Sequence, residues 1–257
     1  MVTIAVEECV KPPRVQACIG STNARSSGCL RARSRSADGR TAPQRGSTVA
    51  LVSTVEVRVY RGRVLWGPFN AVGPKDVDLV EHVIGRALPK DYRGFISAAN
   101  GGTLPYAVRL PPQSDNDGKL IEFSALRSVR GDFSLTASWN DFGSTVMAEH
   151  LPHGLLGVAQ DGGGSTLYID LRDESFGSVW AFVFGLPEWT GSSRSNMGGL
   201  VAPSWDAYMD MLTLEEDYAQ EVWQEAQIDP DEDWTRAVVA WLDSGLPDWR
   251  TAPWAKP

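Results

Sequence analysis

The sequence predicts an α+β domain: N-terminal helices, then a central, mostly antiparallel sheet, then C-terminal helices. Three observations carry that prediction. Apolar residues recur three and four apart between residues 74 and 99 and again after residue 204. Between these stretches the apolar runs are short, alternating or continuous, with turn-forming residues separating them. At 257 residues and 42% hydrophobic content, the chain can bury an ordinary core, with room for extensions or a second small domain.

The first fifty residues stand apart. Arg25 to Arg45 is mainly Arg, Ser, Ala and Gly without periodicity, and such a segment cannot bury enough apolar surface to offset chain entropy. A disordered basic tail, a start codon placed too early and an organelle transit peptide are three readings of it; Glu7 and Glu8 argue against the last. The domain is expected to span residues 51–212, and an acidic, tryptophan-rich helical extension residues 213–257.

Val55 to Arg61 alternates valine with charged residues and predicts a half-buried edge strand. Pro74 opens a helix with Val77, Val80, Val83, Ile84 and Leu88 on its inner face. Leu88 to Gly102 writes a second helix with both ends marked. Pro89 suits a first helical position, Tyr92, Phe95, Ile96 and Ala99 share one face, and Asn100-Gly101-Gly102 stops the chain. Leu104, Tyr106, Val108 and Leu110 then alternate as a strand that ends at Pro111-Pro112.

Residues 113–150 are predicted as a turn at Ser114–Gly118, a short strand at Leu120–Phe123, and a loop or short helix beyond. Leu155–Ala159 and Thr166–Leu171 form a hairpin through Asp161-Gly162-Gly163-Gly164. Val179–Phe184 is apolar on both faces and therefore central. Ser204 caps a helix with the stripe Trp205, Tyr208, Met209 and Leu212. A helix over Glu215–Gln227 follows. The last helix starts with Asp229 as N-cap and Pro230 at the first position, carries Trp234, Val238, Trp241 and Leu242, and ends at Gly245. There is no internal repeat.

Charge is unevenly spread over the net −8. Residues 1–54 hold eight basic against three acidic side chains; from Ala202 onward thirteen acids face three bases, a local −10. An acidic body disfavours nucleic acid as a partner and favours a basic protein. All three cysteines, Cys9, Cys18 and Cys29, precede the predicted fold, so the fold uses no disulfide, the habit of cytoplasmic chains. No apolar run reaches the roughly 18–20 residues of a membrane span.

Three motif groups in order resemble the SUKH superfamily, which holds bacterial toxin-immunity proteins and a fungal regulator of cell-wall synthesis. The first is the Leu88–Gly102 helix and its stop. The second is Leu151-Pro152-His153-Gly154-Leu155-Leu156-Gly157, with Asp161-Gly162-Gly163-Gly164 and Ile169-Asp170-Leu171. The third is Gly177 and Val179-Trp180 with Ser204-Trp205-Asp206-Ala207-Tyr208-Met209. The similarity covers about residues 74–212. Trp180 stands where a tyrosine is frequent, and 111–150 follows no family pattern. The resemblance implies a cytoplasmic immunity protein that masks a cognate toxin, a nuclease among the choices, by direct contact. The alternative it implies is a regulatory scaffold in cell-wall or surface assembly.

No catalytic, cofactor or metal constellation is expected. His82, His150 and His153 lack cysteine or carboxylate partners at ligand spacing. Asp161–Ser165 lacks both the lysine of a phosphate loop and the alternating acids of a calcium loop, so a tight turn suffices. The candidate partner-binding residues are the acids Glu215, Glu216 and Asp217 and the loop tryptophans Trp189, Trp249 and Trp254, since exposed tryptophan concentrates at interfaces.

Overall fold

The computed structural model describes residues 55–110, 120–139, 145–185, 195–228 and 230–256. The proposed tail, the turn at Ser114–Gly118, Trp189 and Asp229 lie outside the described residues. The described part belongs to one compact unit, residues 51–257.

Strands β1 (Val57–Tyr60) and β2 (Arg63–Trp66) form a hairpin. Helices α1 (Pro74–Ile84) and α2 (Lys90–Ala98) follow. Next come β3 (Ala107–Arg109), β4 (Leu120–Glu122), β5 (Ala125–Leu126), α3 (Leu135–Ser138) and α4 (Thr145–His150). A meander of β6 (Leu155–Gln160), β7 (Thr166–Asp170), β8 (Val179–Val183) and β9 (Met197–Ala202) completes the main sheet, ordered β5-β6-β7-β8-β9 and antiparallel throughout. Helices α5 (Trp205–Met211), α6 (Glu216–Ile228) and α7 (Glu232–Gly245) close the chain. The α+β class and its order of elements therefore hold.

Alternation along the strands divides the interior in two. Leu156, Leu167, Ile169, Ala181 and Val183 face the main core, where α1, α2, α5 and α7 pack. Leu155, Tyr168 and Phe182 face the other way and are covered by Met147 of α4 and by Leu151. This two-sided burial explains why Val179 to Val183 is apolar at successive positions. Between α2 and α5 the apolar stripes meet as rings: Trp205 lies 4.9 Å from Tyr92 and 4.7 Å from Phe95, centre to centre.

Several local expectations are corrected. In β1 the valines face solvent (Val59 is 63% exposed), and the covered side is Arg58 and Tyr60. Arg58 lies 4.5 Å over the Phe69 ring and donates to Ala98 O, while Tyr60 meets Phe95 edge-on at 5.2 Å. Long amphipathic side chains can cover a core while keeping their polar ends satisfied. Val83 of α1 is likewise exposed, at 55%, and Leu88 is buried beyond the helix end. Pro89 is the N-cap of α2, with Lys90 the first helical residue. The last helix begins after Pro230: its N-cap is Asp231, whose carboxylate accepts from the N–H groups of Asp233 and Trp234. Gly245 is the last residue of α7; a Cβ there would stand 2.7 Å from Leu214 Cδ2, so close packing, not a left-handed stop, requires glycine.

Residues 213–257 share the main core. Trp66 of β2 packs between Trp234 and Trp241, 5.0 Å from each. The Trp241 indole donates to Pro105 O. Ala107 and Thr213 exchange both backbone hydrogen bonds. A relay joins three elements: the Val64 N–H donates to the Tyr106 hydroxyl, which bonds to Ser244 Oγ at 2.6 Å, and Ser244 donates to Trp241 O.

Candidate protein-interaction surface

The motif residues are spent on holding the fold. The Asn100 amide carbonyl accepts from the Val129 N–H and its NH2 donates to Asn70 O, tying the end of α2 to two loops. The Asp161 carboxylate accepts from the N–H groups of Gly163 and Ser165 at 2.8 and 2.7 Å and closes the β6–β7 turn on itself. Asp170, fully buried, receives the Arg172 guanidinium, the Arg172 N–H and the Ser175 hydroxyl. Burial alone would raise its pKa, but these donors outweigh burial and hold it below the ordinary carboxylate value. Gly154, at φ +90°, lies against the Arg172 stem, where a Cβ would come within 2.9 Å.

His82 and His153 are exposed, and the His150 ring lies 5.9 Å from Phe182. Among the described residues, no three His, Cys, Asp or Glu side chains gather as a metal site.

The surface left for partners is clearest on residues 213–257. Helix α6 buries Ala219, Val222 and Ala226. Its other side turns Glu216, Asp217, Glu221 and Glu225 to solvent, with Glu215 exposed just before the first turn. Acidic residues at a helix N-terminus also match its positive dipole end.

The structure treats the predicted candidates differently. Glu216 and Trp254 are brought together: the Trp254 indole donates to Glu216 Oε1 at 3.0 Å. Trp254 is half-buried in the 3-10 turn Pro253–Ala255 and lies parallel to Trp249 at 6.2 Å. Trp249 is only 5% exposed; it meets Trp223 edge-on at 4.8 Å and donates to Asp243. Its place is in local packing, under the surface that Trp254 and Trp223 present. Asp243 is held below its ordinary pKa first by the Arg250 guanidinium and further by the Trp249 N–H, against the opposing effect of burial. Trp189 lies outside the described residues.

Sequence reasoning missed the groove beside these residues, lined by Trp223, Gln224, Gln227, Ile228 and Trp254. One signal was available. Ile228 falls off the Tyr218–Val222–Ala226 stripe, so a regular helix must present it outward, and it is 84% exposed.

The fold and this surface define a class: a helix-flanked antiparallel-sheet domain whose motif residues are structural and whose acidic and aromatic groups face outward on its last helices. Residues 71–211 match the SMI1 / KNR4 family (SUKH-1), and the chain belongs to that family. Such domains generally serve as immunity or regulatory modules that bind proteins. The comparison with curated proteins gave no match. No helix among the described residues is long and apolar enough to cross a membrane.

Proposed function

We propose that this chain is a non-enzymatic, cytoplasmic immunity protein that neutralises a cognate bacterial toxin by direct binding. Family membership supports a protein-binding role, and one observation carries the finer reading: the acids of α6 stand exposed on an extension beyond the family-matched span. A toxin that handles nucleic acid needs a basic surface for phosphate. An acidic inhibitor is steered toward that surface and occupies it. Nucleic acid itself is repelled by the same face.

The test searches the genes beside this one for a toxin and follows association with its product, captured by pull-down, by stopped flow at several salt concentrations. Turning Glu215, Glu216 and Asp217 to lysine is expected to slow association about tenfold or more at low salt and to flatten its salt dependence. Melting temperature should fall by a few degrees at most, because all three side chains are exposed and the losses are confined to the helix-dipole match and the Trp254–Glu216 bond. Unchanged rates would remove this face from the interface. Failure of the parent protein to protect cells from the toxin, with capture of cell-wall assembly proteins instead, would favour the regulatory-scaffold alternative.

A further inference from the structure

The groove between α6 and the 3-10 turn Pro253–Ala255 combines two features that a purely electrostatic face lacks. The first is apolar. Ile228 is the most exposed large hydrophobic residue among those described, at 84%, and it borders the half-buried rings of Trp223 and Trp254. Both rings pack on buried Trp249, Trp223 edge-on and Trp254 parallel to it, and Trp254 also donates to exposed Glu216. Aromatic side chains already packed on one side suit an anchor site.

The second feature is charge. Asp217, Glu221, Gln224 and Ile228 are spaced four, three and four residues apart and so form one stripe along α6. The stripe begins with two carboxylates and ends at the groove. Glu216 and Glu225 flank it, and among the described residues lining the groove Lys256 is the one base. Gln224 and Gln227 add amide donors and acceptors at the rim.

We propose that this groove docks a basic segment of a partner protein, one that places a single large apolar side chain against Trp223, Ile228 and Trp254 while its lysines or arginines run along Asp217 and Glu221. The inference rests on the partner-binding reading above and adds an anchor to it. Charge complementarity selects a basic occupant over an acidic one. The apolar end selects an anchored segment over a featureless polycation. One apolar anchor then supplies affinity, and the flanking charges select the partner.

The experiment uses the full chain and two labelled peptides, read by fluorescence anisotropy at low and high salt. One peptide is lysine and glycine with a single central leucine; in the other, glycine replaces the leucine. The leucine peptide is expected to bind about tenfold tighter, the effect of burying one such side chain. Ile228→Asp should abolish that difference at unchanged melting temperature, since the side chain is almost fully exposed. Asp217→Lys with Glu221→Lys should weaken both peptides and flatten their salt dependence. Equal binding of the two peptides, absence of binding, or a difference that survives Ile228→Asp would overturn the proposal. The peptides contain no toxin sequence, so the groove and the immunity reading fail separately. A leucine preference alongside unchanged toxin association in the Glu215, Glu216 and Asp217 variant keeps the groove and removes that face from the toxin contact.

Discussion

Gly102 shows how much one residue of the α2 stop carries. It is held at φ +83°, and a Cβ there would stand 2.6 Å from the Trp66 carbonyl oxygen and within 2.8 Å of the Phe69 ring. Gly101 has nearly the same φ, +80°, but its Cβ would meet neighbours only at ordinary contact distance. Gly102→Val should therefore cost about 2–5 kcal/mol, strain and overpacking together, while Gly101→Ala should cost about 1–2 kcal/mol of strain alone. Urea unfolding of the two variants measures that ordering. Glu122 acts in the opposite sense. Burial raises its pKa and the charge of Glu215 adds to the rise, against the Ser124 hydroxyl. The folded-state pKa lies above the unfolded value, so the unfolded chain ionises first as pH increases. Stability is lost from about pH 4.5 up to the folded pKa, and the cost persists at neutral pH. Glu122→Gln keeps an acceptor for Ser124 and should raise the melting temperature at pH 7, with the gain vanishing near pH 4; an equal gain at both would refute the electrostatic cause. Asn100-Gly101-Gly102 was legible in the sequence as a stop. That Gly102 faces Trp66 and Phe69 was not, because those contacts join segments over thirty residues apart.

Elements were legible where periodicity and caps agreed. Helix α5 has both, with Ser204 accepting from the Ala207 N–H and Trp205, Tyr208 and Met209 buried, and it stands as expected. Strand β2 gave no alternating signal because Val64, Leu65 and Trp66 are all buried, Trp66 against α7. Strand β9 is written Met-Gly-Gly-Leu-Val-Ala, and its glycines conceal it: a Cβ at Gly198 would meet His150 O at 2.5 Å, so β9 can pass under the end of α4 only with glycine there. The reversed face of β1 has a related cause, since binary patterning counts Arg58 as polar although its stem and guanidinium pack over Phe69. Helix α7 starts two residues later than its sequence signals suggest but buries the expected Val238, Trp241 and Leu242, and this apolar face tests the link to the sheet. Trp241 is fully buried, donates to Pro105 O, and contacts the rings of Trp66, Tyr106 and Tyr218. Trp241→Ala should cost about 3–5 kcal/mol by lost burial and a cavity. Hydrogen exchange should rise first at Thr213 and Ala107, whose paired N–H groups join the two segments.

At the scale of the molecule, the family span and the folding unit have different ends. The family match stops at residue 211, and sequence similarity alone would suggest that residues 213–257 are dispensable. The packing argues otherwise. Trp66 is 2% exposed, and Trp234 and Trp241 of α7 both lie against it. Tyr106 is covered by Trp241 and bonded to Ser244, and Gly245 closes on Leu214. Removing α6 and α7 would expose Val64, Trp66 and Tyr106 together and free the backbone of Ala107. It would leave a contiguous apolar patch of the kind single domains rarely tolerate. A chain ended at Leu212 should therefore be unstable as a monomer, binding a hydrophobic dye and unfolding at lower urea with a shallower slope than the full chain. A truncated chain with unchanged midpoint and slope would show α6 and α7 to be a mere cover. The expected result ties function to stability. The elements that carry the acidic stripe and the aromatic groove also complete the core, so the partner surface cannot be shed without cost to the fold, whereas the exposed side chains along it can change freely.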